Sequence, residues 1–206
     1  AENDRYTLVT SPDELADGDE FIIVDKSFKQ TVGKYIASKS SARFESCSVT
    51  LEGNDAIISS TNATIFILEN KGKNSYIKTQ LEGKYLSGNE RNVGIQLLQN
   101  ISSECKVTFN FEGQNNVKIE IGNKGYKHFW CNNKNEETYV WKIYDGTATS
   151  STTYIYKKSG NATSVDITLD GLNAEAKNVD ALNGYEGKTV DKITINRSFA
   201  ADGGWY

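Results

Sequence analysis

The chain has one histidine, one proline, three cysteines and no apolar run approaching the ~20 residues that cross a bilayer as a helix. Each shortage excludes something. His128 is the sole imidazole, so a Ser-His-Asp or Cys-His site would have to use it, yet no nucleophile elbow or cysteine-enzyme signature lies nearby. His128 and Cys131 form an isolated H-x-x-C, short of the further ligands that zinc requires, and no metal site is expected. Cys47, Cys105 and Cys131 are odd in number, so at most one disulfide can form within the chain. They read as small buried hydrophobes instead. P-loop and dinucleotide fingerprints are missing, and no cofactor is expected. Lys and Arg are nowhere clustered and the formal net charge is -4, which argues against nucleic acid as a partner.

What is present is the material of strands and polar turns: 11 tyrosines, and many Asn, Gly, Ser and Thr residues. Val107, Phe109 and Phe111 alternate with polar residues, and after Glu112 to Asn116 the alternation resumes at Val117, Ile119 and Ile121. That pattern predicts a hairpin. Strands are also expected at Glu20 to Val24, Ile65 to Leu68, Ser75 to Lys78, Tyr139 to Tyr144 and Tyr154 to Tyr156, with Tyr139, Trp141 and Ile143 on one face. A single helical turn or two is expected near the start, where Ser11-Pro12-Asp13-Glu14 offers an N-cap, a first-turn proline and a capping-box Glu.

Gly33-Lys34-Tyr35-Ile36 recurs as Gly83-Lys84-Tyr85-Leu86, and in degenerate form as Gly125-Tyr126-Lys127-His128-Phe129. Each copy reads as a turn glycine delivering an aromatic and an aliphatic residue into a core. The expected fold is therefore all-β: a β-trefoil-like or barrel-like domain of three meander repeats, or alternatively a β-sandwich. Its extent is residues 1–160. Residues 161–206 hold two strand-like pieces, Val165 to Leu169 and Val190 to Ile195, too few apolar positions for an independent core, and read as the truncated start of a second β domain.

The segment Tyr6-Thr7-Leu8-Val9-Thr10-Ser11-Pro12-Asp13-Glu14-Leu15-Ala16-Asp17-Gly18-Asp19-Glu20, together with Gly83-Lys84-Tyr85-Leu86-Ser87 and Tyr154-Ile155-Tyr156-Lys157-Lys158, resembles an uncharacterised β module of exported, multidomain surface proteins of gut Bacteroidetes. Arg197-Ser198-Phe199 and Gly203-Gly204-Trp205-Tyr206 resemble the first strands of the second β module that follows it there. The resemblance implies an extracellular or cell-surface location, the leader being absent from this chain, and lends no catalytic residues.

For function, Tyr126, Trp130, Asn132, Asn133 and Glu136 stand out, because flat aromatic faces beside amide and acid side chains are what a sugar ring requires. The leading expectation is a non-catalytic binding module recognising glycan or protein. A structural spacer or assembly domain, pairing through exposed strand edges, is the alternative. A third reading is a glycan hydrolase with two carboxylates, drawn from groups such as Asp17, Asp19 and Glu20 or Glu136 and Glu137. Asp17 to Glu20 also raises calcium, without the full ligand loop.

Overall fold

The run Phe21-Ile22-Ile23-Val24 has no polar alternation, which for a strand means burial on both faces. A computed structural model shows how this is achieved. It describes residues 4–88, 94–113, 115–134, 138–145, 152–159, 167–170 and 193–196. Residues 1–158 form one unit and residues 159–206 another. The first holds β1 (Asp4–Leu8), β2 (Glu20–Asp25), β3 (Gln30–Ile36), β4 (Arg43–Ser48), β5 (Thr50–Glu52), β6 (Asp55–Ile58), β7 (Phe66–Lys71), β8 (Asn74–Thr79), β9 (Tyr85–Ser87), β10 (Gln96–Leu98), β11 (Lys106–Phe111), β12 (Val117–Ile121), β13 (Tyr126–Lys134), β14 (Thr138–Asp145) and β15 (Thr153–Lys158). The fold is all-β, and every strand pairing in this unit is antiparallel.

Hydrogen-bonded neighbours trace a closed circuit: β2, β7, β8, β11, β12, β13, β14, β4, β3 and back to β2. Closure is possible because β2 gives one edge to β15 along Phe21 to Asp25 and divides the other. On that second edge Glu20 and Phe21 pair with β7, while Val24 and Asp25 pair with β3. The same strand separates two cores. Phe21 and Ile23 enter a large core with Phe44, Phe66, Phe129, Trp141 and Ile155. Ile22 and Val24 face the other way, into a smaller core with Tyr6, Ala56, Ile58 and Tyr156, closed over by β1 and β6. Both faces of β2 are therefore dry.

Within the circuit the chain makes three successive meanders, β2-β3-β4, β7-β8-β9 and β11-β12-β13. The first hairpin of each contains a residue of positive φ, Lys29 (52°), Gly72 (61°) and Asn115 (64°), spaced 43 residues apart. This backbone period is cleaner than the sequence repeat. Gly83 is a turn glycine with φ 64°, as expected, but Gly33 lies inside β3 without positive φ. Gly33 is needed for a different reason: a Cβ there would stand 3.0 Å from the Glu45 carbonyl oxygen and from Cys47 Sγ, where the β3-β4 register shifts.

At the N-terminus the expected helical turn is a 3-10 turn, Pro12–Glu14, but the Ser11 side chain caps nothing. Glu14 reaches back instead, its carboxylate accepting from the Thr10 backbone N–H at 3.0 Å and from the Thr10 hydroxyl. Leu15 packs against the large core and Lys157 Nζ donates to the Glu14 carbonyl at 2.9 Å, so the turn is also tied to distant parts of the fold. Cys105 and Cys131 are buried and Cys47 half-buried, all as free thiols. In the second unit β16 (Ile167–Asp170) and β17 (Ile193–Asn196) pair in parallel, Ile167 opposite Ile193.

Candidate functional site

Tyr126, Trp130, Asn132 and Asn133 all lie on β13, and Glu136 lies outside the described residues. Alternation along β13 sends Phe129 and Cys131 into the large core, so Trp130 and Asn132 face away from it. Tyr126, past a register shift, packs against that same core. Trp130 is half-buried, its ring 4.9 Å from that of Tyr144. Asn132 bonds the Tyr144 phenol, partly countering the upward push that burial gives its pKa. Two buried atoms here, the Trp130 indole N–H and Asn133 Oδ1, have no partner. The cavity lined by Lys118, His128, Trp130 and Thr153 has a volume of about 10 Å³, room for one water rather than a sugar ring.

The other chemically suggestive groups of the sequence are absorbed by the fold. His128 and Cys131 are three apart on one strand and so face opposite sides. Burial pushes the Cys131 thiol up to about 12 on one face and lowers His128 on the other, so both are neutral and they do not meet. Asp19 caps the Ala16 N–H at 2.7 Å and pairs with Lys157 at 3.0 Å, Asp17 accepts from the Asn70 N–H at 2.6 Å, and Glu20 pairs with Lys158 at 3.0 Å. Among the described residues no three His, Cys, Asp or Glu side chains converge to hold a metal.

A different place has the geometry of a ligand site. Tyr35 near the end of β3, Phe44 of β4, Thr79 at the end of β8 and Leu97 of β10 converge beneath the loops 59–65 and 80–84, enclosing about 380 Å³. That volume falls in the ~300–1,000 Å³ range of small-molecule sites. The floor is apolar: the Tyr35 and Phe44 rings lie 5.1 Å apart at 59°, with Ile65 and Leu97 beside them. The rim is polar, with Thr61, Asn62, Gln80, Lys34 and Glu82.

The scaffold under this pocket is tied down. The Tyr35 phenol donates to the Ile95 carbonyl at 3.2 Å, the Gln80 N–H to the Ile65 carbonyl at 2.8 Å, and the Thr64 N–H to the Val32 carbonyl at 2.8 Å. Burial raises the Tyr35 pKa, a backbone bond at Leu97 opposes the rise, and the Glu82 charge adds to it, so the ring stays a neutral phenol. Glu82 is itself paired with Lys84 at 3.4 Å. Two lining residues break ordinary rules. Thr79 is 4% exposed and its hydroxyl has no partner, while Leu81 at the rim is 94% exposed. The sequence carried a signal for Tyr35, through the Gly-Lys-Tyr repeat, but none that separated it from its copies. Tyr85 is occupied by Glu69, to which its phenol donates at 2.8 Å.

A scan against protein-family models finds no match, and a search of curated proteins finds none either. Among solved structures the chain is similar to one titled "Crystal structure of lysenin pore", at 14% identity and a TM-score of 0.42, over 69% of this chain. The chain spans about half the length of that protein (49%), and a likeness of this degree carries no argument about function.

Proposed function

We propose that residues 1–158 are a non-catalytic glycan-binding module of an exported surface protein, built on a β-trefoil-like arrangement of the three meanders. The observation that carries it is the pocket at Tyr35: an aromatic and aliphatic floor, an amide and hydroxyl rim, and a buried hydroxyl without a partner. A sugar ring has a matching character, with an apolar C–H face and a belt of hydroxyls. Chemistry is disfavoured here because among the described residues Glu82 is the one carboxylate that lines the pocket, whereas glycoside hydrolysis by the usual route needs two. The spacer reading is weaker for a reason of edges: the terminal strands of the circuit's branches, β5 and β10, have three residues each, short templates for pairing with another chain.

The test is a glycan array followed by calorimetric titration of the intact chain. Saturable binding that Tyr35→Ala weakens at least tenfold, with unchanged folding by circular dichroism, is expected. Absence of binding across host and plant glycans would refute the proposal.

A further inference from the structure

Tyr35 and Leu97 do not line one cavity alone. They also form a wall of a second, of about 440 Å³, completed by Ala37, Ser38, Lys39, Gln96 and Leu98. The two cavities thus adjoin across one aromatic ring. That ring is fixed from two directions, by the bond from its phenol to the Ile95 carbonyl and by its packing on Phe44. A divider that cannot swing aside leaves each cavity at its own size, so a single sugar ring occupies one of them and not both.

We propose that the two cavities are adjacent subsites for consecutive units of one extended glycan chain, which crosses Tyr35 and passes between the C-terminal part of β3 and strand β10. The inference rests on the glycan reading of the first cavity and adds the class of ligand: a chain recognised along its length. The polar groups are placed for this. Asn62 and Gln80 belong to the first cavity, Ser38 and Gln96 to the second, and Tyr35 stands between as the stacking face. Ser38 already accepts from the backbone N–H groups of Ser40 and Ser41, at 3.3 and 3.2 Å, which orients its hydroxyl and leaves the O–H free to donate. The second cavity is the more open of the pair, consistent with a chain that leaves it into solvent.

The experiment is titration of the intact chain with mono- to tetrasaccharides of two series, β-1,4-linked glucose and α-1,4-linked galacturonate. In the series that binds, affinity is expected to rise at least tenfold from one unit to two or three and then level off. Ala37→Trp, which fills the second cavity from its exposed edge, is expected to remove that gain. Tyr35→Ala is expected to weaken every length. Equal affinity for all lengths, or oligosaccharide affinity untouched by Ala37→Trp, overturns the two-subsite proposal and leaves the glycan reading standing. Failure of every sugar in both series overturns the two-subsite proposal for these chains, and only failure across the whole glycan array overturns the glycan reading as well. A melting curve of Ala37→Trp matching the parent's keeps loss of fold out of the comparison.

Discussion

Thr79 is the residue whose chemistry is most at odds with its surroundings. A hydroxyl buried without a partner costs on the order of 1–3 kcal/mol, and such groups persist in native proteins where something else uses them. Thr79→Val is predicted to raise the midpoint of thermal unfolding, by roughly 1 kcal/mol of stability, and to weaken glycan binding. A variant that melts lower would show that the hydroxyl is satisfied in solution. Leu81 is the converse case, an apolar side chain 94% exposed that touches little of the fold. Leu81→Ser should therefore change stability by no more than about 0.5 kcal/mol, while lowering affinity if the rim contacts ligand. Glu69 sets an acid limit. Hydrogen bonding from Lys71, then Lys78 and Tyr85, outweighs burial and holds its pKa near 2, below its ordinary 4.5. A lowered carboxylate contributes stability above its unfolded pKa and loses it as pH falls through the folded one. Urea midpoints between about pH 5 and pH 2 should fall less steeply in Glu69→Gln than in the parent.

At the scale of elements, strands with clean alternation and short apolar runs such as Phe21 to Val24 were readable in the sequence. β11 and β12 occupy the expected hairpin, Phe111 opposite Val117, and β14 buries Trp141 and Ile143 as its pattern required. A period of two has one meaning when one face is wet and the other dry. The N-terminal turn formed at the expected length, one 3-10 turn, but its Ser11 cap did not, because Glu14 bonds Thr10 instead. Gly33 was misread because sequence identity with the turn glycine Gly83 hid a close approach between strands. Another close approach yields a sharp prediction. Gly88 passes over Ile121, and a Cβ at Gly88 would lie 2.0 Å from the Ile121 carbonyl oxygen. Gly88→Ala is expected to destabilise the protein by several kcal/mol, read as a lowered denaturation midpoint, whereas Gly113→Ala, with nothing near its Cβ, should stay close to the parent.

For the whole molecule, the first unit contains both of its cores and its strand circuit closes within residues 1–158. A chain ending at Lys158 is expected to unfold cooperatively with a midpoint near that of the full chain, and a broad, non-cooperative transition would contradict it. The sequence alone determined the fold class, the positions of seven strands and the burial of Trp141, because period and residue size act locally, whereas an odd cysteine count left one disulfide possible and the structure shows three free thiols. The sequence also pointed to aromatic residues beside polar loops, at Trp130. The room around each aromatic residue is set only by the tertiary structure. Trp130 is closed in against Tyr144 beside a cavity of about 10 Å³, while Tyr35 stands between two of about 380 and 440 Å³. An aromatic residue's surroundings are set by strands distant in the chain: β4, β8 and β10 wall the pocket at Tyr35, and no spacing around Gly33 encodes where they arrive.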